Sequence, residues 1–294
     1  MRYRTRFAAV TVTLVFLACV VVGGMYFYHW RSTSRRPKSR IPLPPQQFVP
    51  TNIADAIWSQ AAWEVYRTAQ DIEAEHKQEA KGEAKYSKLA RGNTALQQVT
   101  LTFDDGPHPQ YTPQLLAILQ QENVKASFFV VGEMALQYPD LVKAEIAAGH
   151  TVCDHTFHHV NLTQLPVESM LTEWKANQDA VQSLTGQPVH YCRPPGGNYN
   201  NNVMDAAASL GMITVLWTDN PGDYLRPSVS VIEQRVLENA SNGGIILLHD
   251  GVQQTVDALP SIIRKLKERG YQFVTLDQMW ADLPNRVTPE QAAQ

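Results

Sequence analysis

Between residues 96 and 283 the chain alternates short β-branched and aromatic runs with longer helix-patterned ones, and no other feature restricts its fold as much. Strand patterns fall at 99–103, 126–131, 151–154, 189–193, 213–217, 244–248 and 272–276. In the first, Val99, Leu101 and Phe103 recur at period two before Gly106-Pro107 stops the run. The longest helical pattern carries Val167, Met170, Leu171, Trp174, Val181 and Leu184 at i, i+3, i+4 spacing. Strand and helix in strict alternation predict an α/β fold with a parallel sheet of about seven strands, open or closed into a barrel.

The front of the chain reads differently. Residues 7–28 carry no charge and are long enough to span a bilayer, with Arg2, Arg4 and Arg6 before them and Arg31, Arg35, Arg36, Lys38 and Arg40 after. Cys19 invites a lipoprotein reading, but Phe16-Leu17-Ala18 is a poor lipobox and the apolar run continues past it. The expectation is an uncleaved signal-anchor helix within residues 1–30. Basic residues flank it on both sides, so the positive-inside count does not choose an orientation. Residues 31–95 then read as a linker, basic and Pro-rich to residue 50, followed by a helix over 52–88. Trp58, Ala62, Val65, Ala69 and Ile72 make a coiled-coil-like seam of about two heptads, too short to distinguish a paired helix from one laid on the main domain. The catalytic region is expected at 96–285, with a flexible tail at 286–294. A net charge of −3 over 294 residues gives no reason to expect a nucleic-acid partner.

Within the alternating region, the noteworthy polar residues sit where strands end. Asp104 and Asp105 close the first strand, His155 and His159 follow the third, Arg193 ends the fourth, Asp223 lies just past the fifth and His249 ends the sixth. On a parallel barrel these ends share one face, so residues distant in sequence converge there. Adjacent carboxylates in a cleft raise each other's pKa unless a counter-charge is present. Asp-Asp-Gly alone could be a turn bonding its own backbone. Two imidazoles separated by three residues can share one metal ion on one side of a helical turn. With Asp105, His155 and His159 form a facial set with positions left for water and substrate. Asp104 would then be the base for a water, and Arg193 either the group that keeps it ionised and aimed or a salt bridge with no catalytic meaning. The Pro194-Pro195-Gly196-Gly197 turn offers backbone N–H groups to an oxyanion, Gly196 foremost because no side chain blocks approach. His249 can protonate a leaving amine. Asp223 either keeps it protonated or caps a turn with Gly222. Leu247, Trp217 and Tyr224 either wall a small apolar pocket or, for the first two, serve the core. His158 is read as a supporting or surface residue.

Metal, base, oxyanion donor and acid together specify hydrolysis of an amide or ester. The chain resembles the polysaccharide deacetylase family (NodB-homology domain, carbohydrate esterase family four) in five motifs, taken in order at 102–107, 155–159, 193–197, 217–224 and 247–249. The resemblance implies a distorted (β/α) barrel and one divalent cation on Asp105, His155 and His159, zinc first, with cobalt, nickel or iron as alternatives. It also implies Asp104 as base, oriented by Arg193, and His249 as acid, tuned by Asp223, with Leu247 lining an acetyl pocket. The implied partner is an acetylated polysaccharide: N-acetylglucosamine units of peptidoglycan first, then chitooligosaccharides, exopolysaccharides or O-acetylated xylan. An exported, membrane-tethered domain follows from that substrate.

Gly196 stands where the family often has an aromatic residue, Asn220 replaces a common Asp, and Tyr224 a common Trp. The two remaining readings are an inactive sugar-binding homologue and an iron oxygenase triad. The intact polar positions oppose the former, and the latter has no use for Asp104 or His249. Cys153 shares strand parity with His155 whereas Cys192 is out of phase with Arg193, so the two thiols should lie on opposite faces and stay unbridged.

Overall fold

The computed structural model describes residues 67–79 and 88–284. The expected signal anchor, the basic linker, the seam positions Trp58, Ala62 and Val65, and the tail at 286–294 lie outside the described residues. Among the described residues no helix is long and apolar enough to cross a membrane.

The strands are β1 (Lys88–Leu89), β2 (Gln98–Gly106), β3 (Ser127–Val130), β4 (Thr151–Asp154), β5 (Tyr191–Cys192), β6 (Ile213–Val215), β7 (Gly244–His249) and β8 (Gln272–Phe273). All pair in parallel, in the order β1-β6-β5-β4-β3-β2-β7, with β8 added to the start of β2. Helices α1 (Ala69–Glu79), α2 (Thr112–Gln121), α3 (Gly132–Gln137), α4 (Pro139–Ala147), α5 (Val167–Thr185), α6 (Asn201–Ser209), α7 (Val229–Asn239), α8 (Gln253–Glu268) and α9 (Leu276–Ala281) complete the described chain. The two ends of the strand order approach each other just past β6. There Thr218 and Asp219 donate to Ile245 O at 2.9 and 3.2 Å, and Leu247 donates to Asp219 O at 2.9 Å. This curled parallel sheet agrees with the distorted barrel that the sequence implies.

Two apolar clusters show why alternation matters. Val99, Leu101 and Phe103 of β2 and Ile246 and Leu248 of β7 pack outward against the helices. Phe129, Cys153, Tyr191, Val215, Ile245 and Leu247 pack inward. A strand's successive side chains point to opposite faces, so the inward set also fixes which polar neighbours face in. Asp104 follows Thr100 and Thr102, His155 follows Cys153, Arg193 follows Tyr191, and His249 follows Leu247. Cys153 and Cys192 are free and belong to different clusters, as strand parity requires.

One expectation needs correcting. The segment read as a single helix over 52–88 holds helix only from Ala69 to Glu79 where it is described, and residue 88 opens β1, an eighth strand beside β6. Lys88 and Leu89 are too short a run to carry a period. Ile72 is 1% exposed among Leu89, Val215 and Trp217, so this seam position faces the barrel rather than a second chain.

Candidate active site

The expected site residues converge at the C-terminal mouth of the strands. Arg193 is wholly buried, its guanidinium 4.0 Å from the Phe129 ring centroid and 5.6 Å from that of Trp217. It donates to Val215 O and Leu216 O at 3.2 Å each, to Thr102 Oγ1 at 2.9 Å and to Asp104 Oδ1 at 2.6 Å. A planar fork held on four acceptors fixes Asp104 by one oxygen. The other, Oδ2, is buried without a hydrogen-bond partner, 3.7 Å from His155 Nε2.

Asp105 does not follow parity. The β2–β3 register shifts between Asp104 and Gly106, and Asp105 has φ 71°. This bulge turns its side chain to the same mouth as Asp104. Asp105 Oδ1 lies 3.0 Å from His159 Nε2 and 3.4 Å from His155 Nε2. Burial alone would raise the Asp105 carboxyl, but the His159 charge, and hydrogen bonds from either imidazole when it is protonated, hold it well below the usual carboxylate range.

The three residues are buried, with one ligand atom from each within 4.8 Å of the others, a group able to hold a metal ion. The His155 tautomer supports that fit. Its Nδ1 lies 2.8 Å from Arg193 O, an acceptor only, so Nδ1 carries the hydrogen. In the neutral ring Nε2 then points a lone pair at the Asp105 carboxylate, an arrangement that a cation between them relieves. His158 is exposed and binds Glu173, in keeping with a supporting role.

Across the mouth, His249 Nδ1 is 2.8 Å from Asp223 Oδ1, and Asp223 Oδ2 accepts from His249 N at 2.7 Å and Thr255 Oγ1 at 2.6 Å. Asp223 therefore binds the imidazole, and the alternative in which it only caps a turn falls away. Burial by itself would lower the His249 pKa, but the Asp223 charge and hydrogen bond raise it to about 9. Tyr224 sits edge-on to His249 with ring centroids 5.2 Å apart. Leu247 and Trp217 are both buried in the interior cluster. In the turn after Arg193, Gly196 and Gly197 have φ 63° and 68°. Gly197 N donates to Pro194 O, and a Cβ on Gly197 would come within 2.5 Å of Trp217. Asn220, standing where an acid was expected, accepts from Gly222 N at 3.0 Å.

Sequence reasoning placed Asp250 at the same strand end as His249 without giving it a role, and it did not single out Asn177. Asp250 takes a hydrogen bond from Thr112, and burial pushes its carboxyl up to about 7. A Cβ on Gly106 would lie 2.8 Å from its Oδ2, which explains the glycine after the paired carboxylates. Asn177 interrupts the apolar face formed by Met170, Trp174, Ala180 and Val181 on α5, and that interruption was the available signal.

A family profile for polysaccharide deacetylase matches residues 91–215. A peptidoglycan-N-acetylglucosamine deacetylase of Bacillus cereus is 38% identical over 186 residues, covering 62% of this chain and 87% of that protein. The chain belongs to the polysaccharide deacetylase family. A chitooligosaccharide deacetylase of Sinorhizobium fredii is 35% identical over 206 residues, covering 65% of this deacetylase and 95% of its relative. Among solved structures, BA3943 of Bacillus anthracis, a CE4 family pseudoenzyme, superposes with a TM-score of 0.64 at 29% identity, covering 67% of this chain and 69% of its own. The profile match ends before Trp217, so the His249–Asp223 pair lies outside it.

Proposed function

We propose that this deacetylase is a metal-dependent hydrolase that removes N-acetyl groups from N-acetylglucosamine units of a cell-wall polymer, peptidoglycan foremost. The observation that carries this reading is the division of labour between the adjacent carboxylates. Asp105 Oδ1 faces both imidazoles, while Asp104 is held by Arg193 through Oδ1 and keeps Oδ2 turned toward the same place. A divalent cation held by Asp105, His155 and His159, zinc first and cobalt, nickel or iron otherwise, would polarise the acetyl carbonyl and acidify water. Asp104 Oδ2 takes the proton of the attacking water, and Arg193 keeps that carboxylate ionised and aimed. With Gly197 N engaged by Pro194 O, the Gly196 N–H is the group in this turn that serves the oxyanion. His249 carries its transferable proton on Nε2, because Nδ1 is bound to Asp223, and delivers it to the departing amine. Leu247 and Trp217 offer the acetyl methyl an apolar wall, with Tyr224 at its rim.

The 38% identity to a peptidoglycan deacetylase supports the polymer assignment, and the 35% identity to a chitooligosaccharide deacetylase makes free oligomers the second substrate class. The apolar segment 7–28 is the basis for placing the catalytic domain outside the cytoplasm on a membrane tether. Acetate release and product mass with peptidoglycan fragments, chito-oligomers and acetylated xylan test the reading. Activity should vanish with a chelator and return with zinc. Sugar binding without acetate release from any of the three would instead indicate an inactive homologue.

A further inference from the structure

Two of the three expected ligands lie on one loop, residues 155–159, whose backbone is unusual. Thr156 has φ 64° and His159 φ 54°. Together with Asp105 they account for three of the five left-handed non-glycine residues in the described chain. Such conformations persist where the surroundings over-determine them. Here two helices do so. Gly132 N and Glu133 N at the start of α3 donate to Thr156 O and Phe157 O at 3.1 and 3.0 Å. The second helix is α5, whose Asn177 is wholly buried. Its Nδ2 donates to Val130 O at the end of β3 and to Asp154 Oδ1, at 2.8 Å each, and to Thr156 O at 3.0 Å. Asp154 Oδ1 also accepts from Thr156 N at 2.8 Å. One turn earlier on α5, Glu173 binds His158 N and Nδ1 at 3.0 and 2.7 Å.

Asn177 thus holds the residues immediately before and after His155 and ties both to the neighbouring strand. Packing alone gives no reason for an amide at this point of an otherwise apolar helix face, where a leucine would bury as well. We propose that Asn177 is a positioning residue for the metal site, fixing the loop so that His155 and His159 present Nε2 to the place Asp105 faces. The inference rests on the cation-binding reading of that triad. Groups that orient metal ligands from behind, when removed, typically weaken metal binding by roughly 10–100-fold.

The test uses the full-length chain, with zinc affinity from chelator competition and the visible spectrum of the cobalt-substituted protein. Asn177→Leu should weaken zinc binding by roughly 10–100-fold and alter the cobalt bands. Asn177→Ser, which keeps one short donor, should fall between it and the parent and serves if the leucine variant does not fold. Val181→Ala, also buried on α5, should lower Tm while keeping the parent affinity and spectrum. Parent-like zinc affinity in the Asn177 variants overturns the proposal, as does an equal affinity loss in Val181→Ala. A parent chain that binds no divalent cation overturns the triad reading itself, and this inference with it.

Discussion

Arg193→Met is the most informative single perturbation of this fold. The arginine is fully buried, and four hydrogen bonds hold it between two aromatic rings. Methionine fills part of the slot between Phe129 and Trp217 but leaves the Asp104 carboxylate buried beside no cation. Breaking a buried ion pair from one side costs about 3–5 kcal/mol, because the surviving charge is left uncompensated. That is a large share of the roughly 5–15 kcal/mol by which domains are stable. Asp104→Asn alone strands the guanidinium in the same way. The double variant removes both charges, so its loss should fall short of the summed single losses by at least about 2 kcal/mol. Arg193→Lys should lie between parent and Arg193→Met, since one ammonium cannot reach Thr102, Asp104, Val215 and Leu216 together. Urea unfolding of the chelator-treated chain at low temperature, where a marginal variant still folds, gives the stabilities of the parent and the four variants. Additive losses in the double variant would refute the argument that this pair is held by mutual charge compensation.

Two further predictions concern titrating groups. Because His249 is raised to about 9 mainly against its own burial by Asp223, Asp223→Asn should move the alkaline limb of kcat downward by more than about one pH unit. A bound cation opposes the rise, so the parent limb lies below 9 without changing that sign. A folded pKa above the unfolded value stabilises fully below about pH 6.5 and ceases to do so as pH climbs through 9. The variant's stability deficit should therefore be largest at low pH, on the order of 3 kcal/mol, and shrink toward pH 9; a limb that does not move refutes the assigned partner. Glu145 of α4 is buried with no hydrogen bond to either oxygen, and burial, aided by the Asp250 charge, raises its pKa well above the usual range. Its contribution is lost as pH rises from about 4.5, where the unfolded chain ionises, toward the raised folded value. Glu145→Met should then stabilise the chain at both pH values, by about 1–3 kcal/mol at pH 4 and by more at pH 8, by urea unfolding, and a gain no larger at pH 8 than at pH 4 would refute this.

Most of the site was legible because it obeys one rule. Leu101 and Phe103 point outward, so Thr102 and Asp104 must point inward, and the same count on β4, β5 and β7 turns in His155, Arg193 and His249. Residues whose placement depends on tertiary contact were not legible that way. Lys88 and Leu89 form a strand only because β6 offers an edge, and Ile72 is buried only because the barrel leaves a gap for it. Asn177 left a visible trace, a polar residue on an apolar helix face, but its acceptors come from β3 and β4 and no local pattern names them. Asp105 is the instructive exception. Parity alone would send it toward the helices, into the shell that holds Phe103. A left-handed residue at a bulge reverses it, which lets neighbouring carboxylates face one cavity with different duties. Asp104 is oriented by the arginine and Asp105 by the chain itself, so the pair can be separated experimentally: changing Arg193 should disturb the first and leave the imidazole contacts of the second in place.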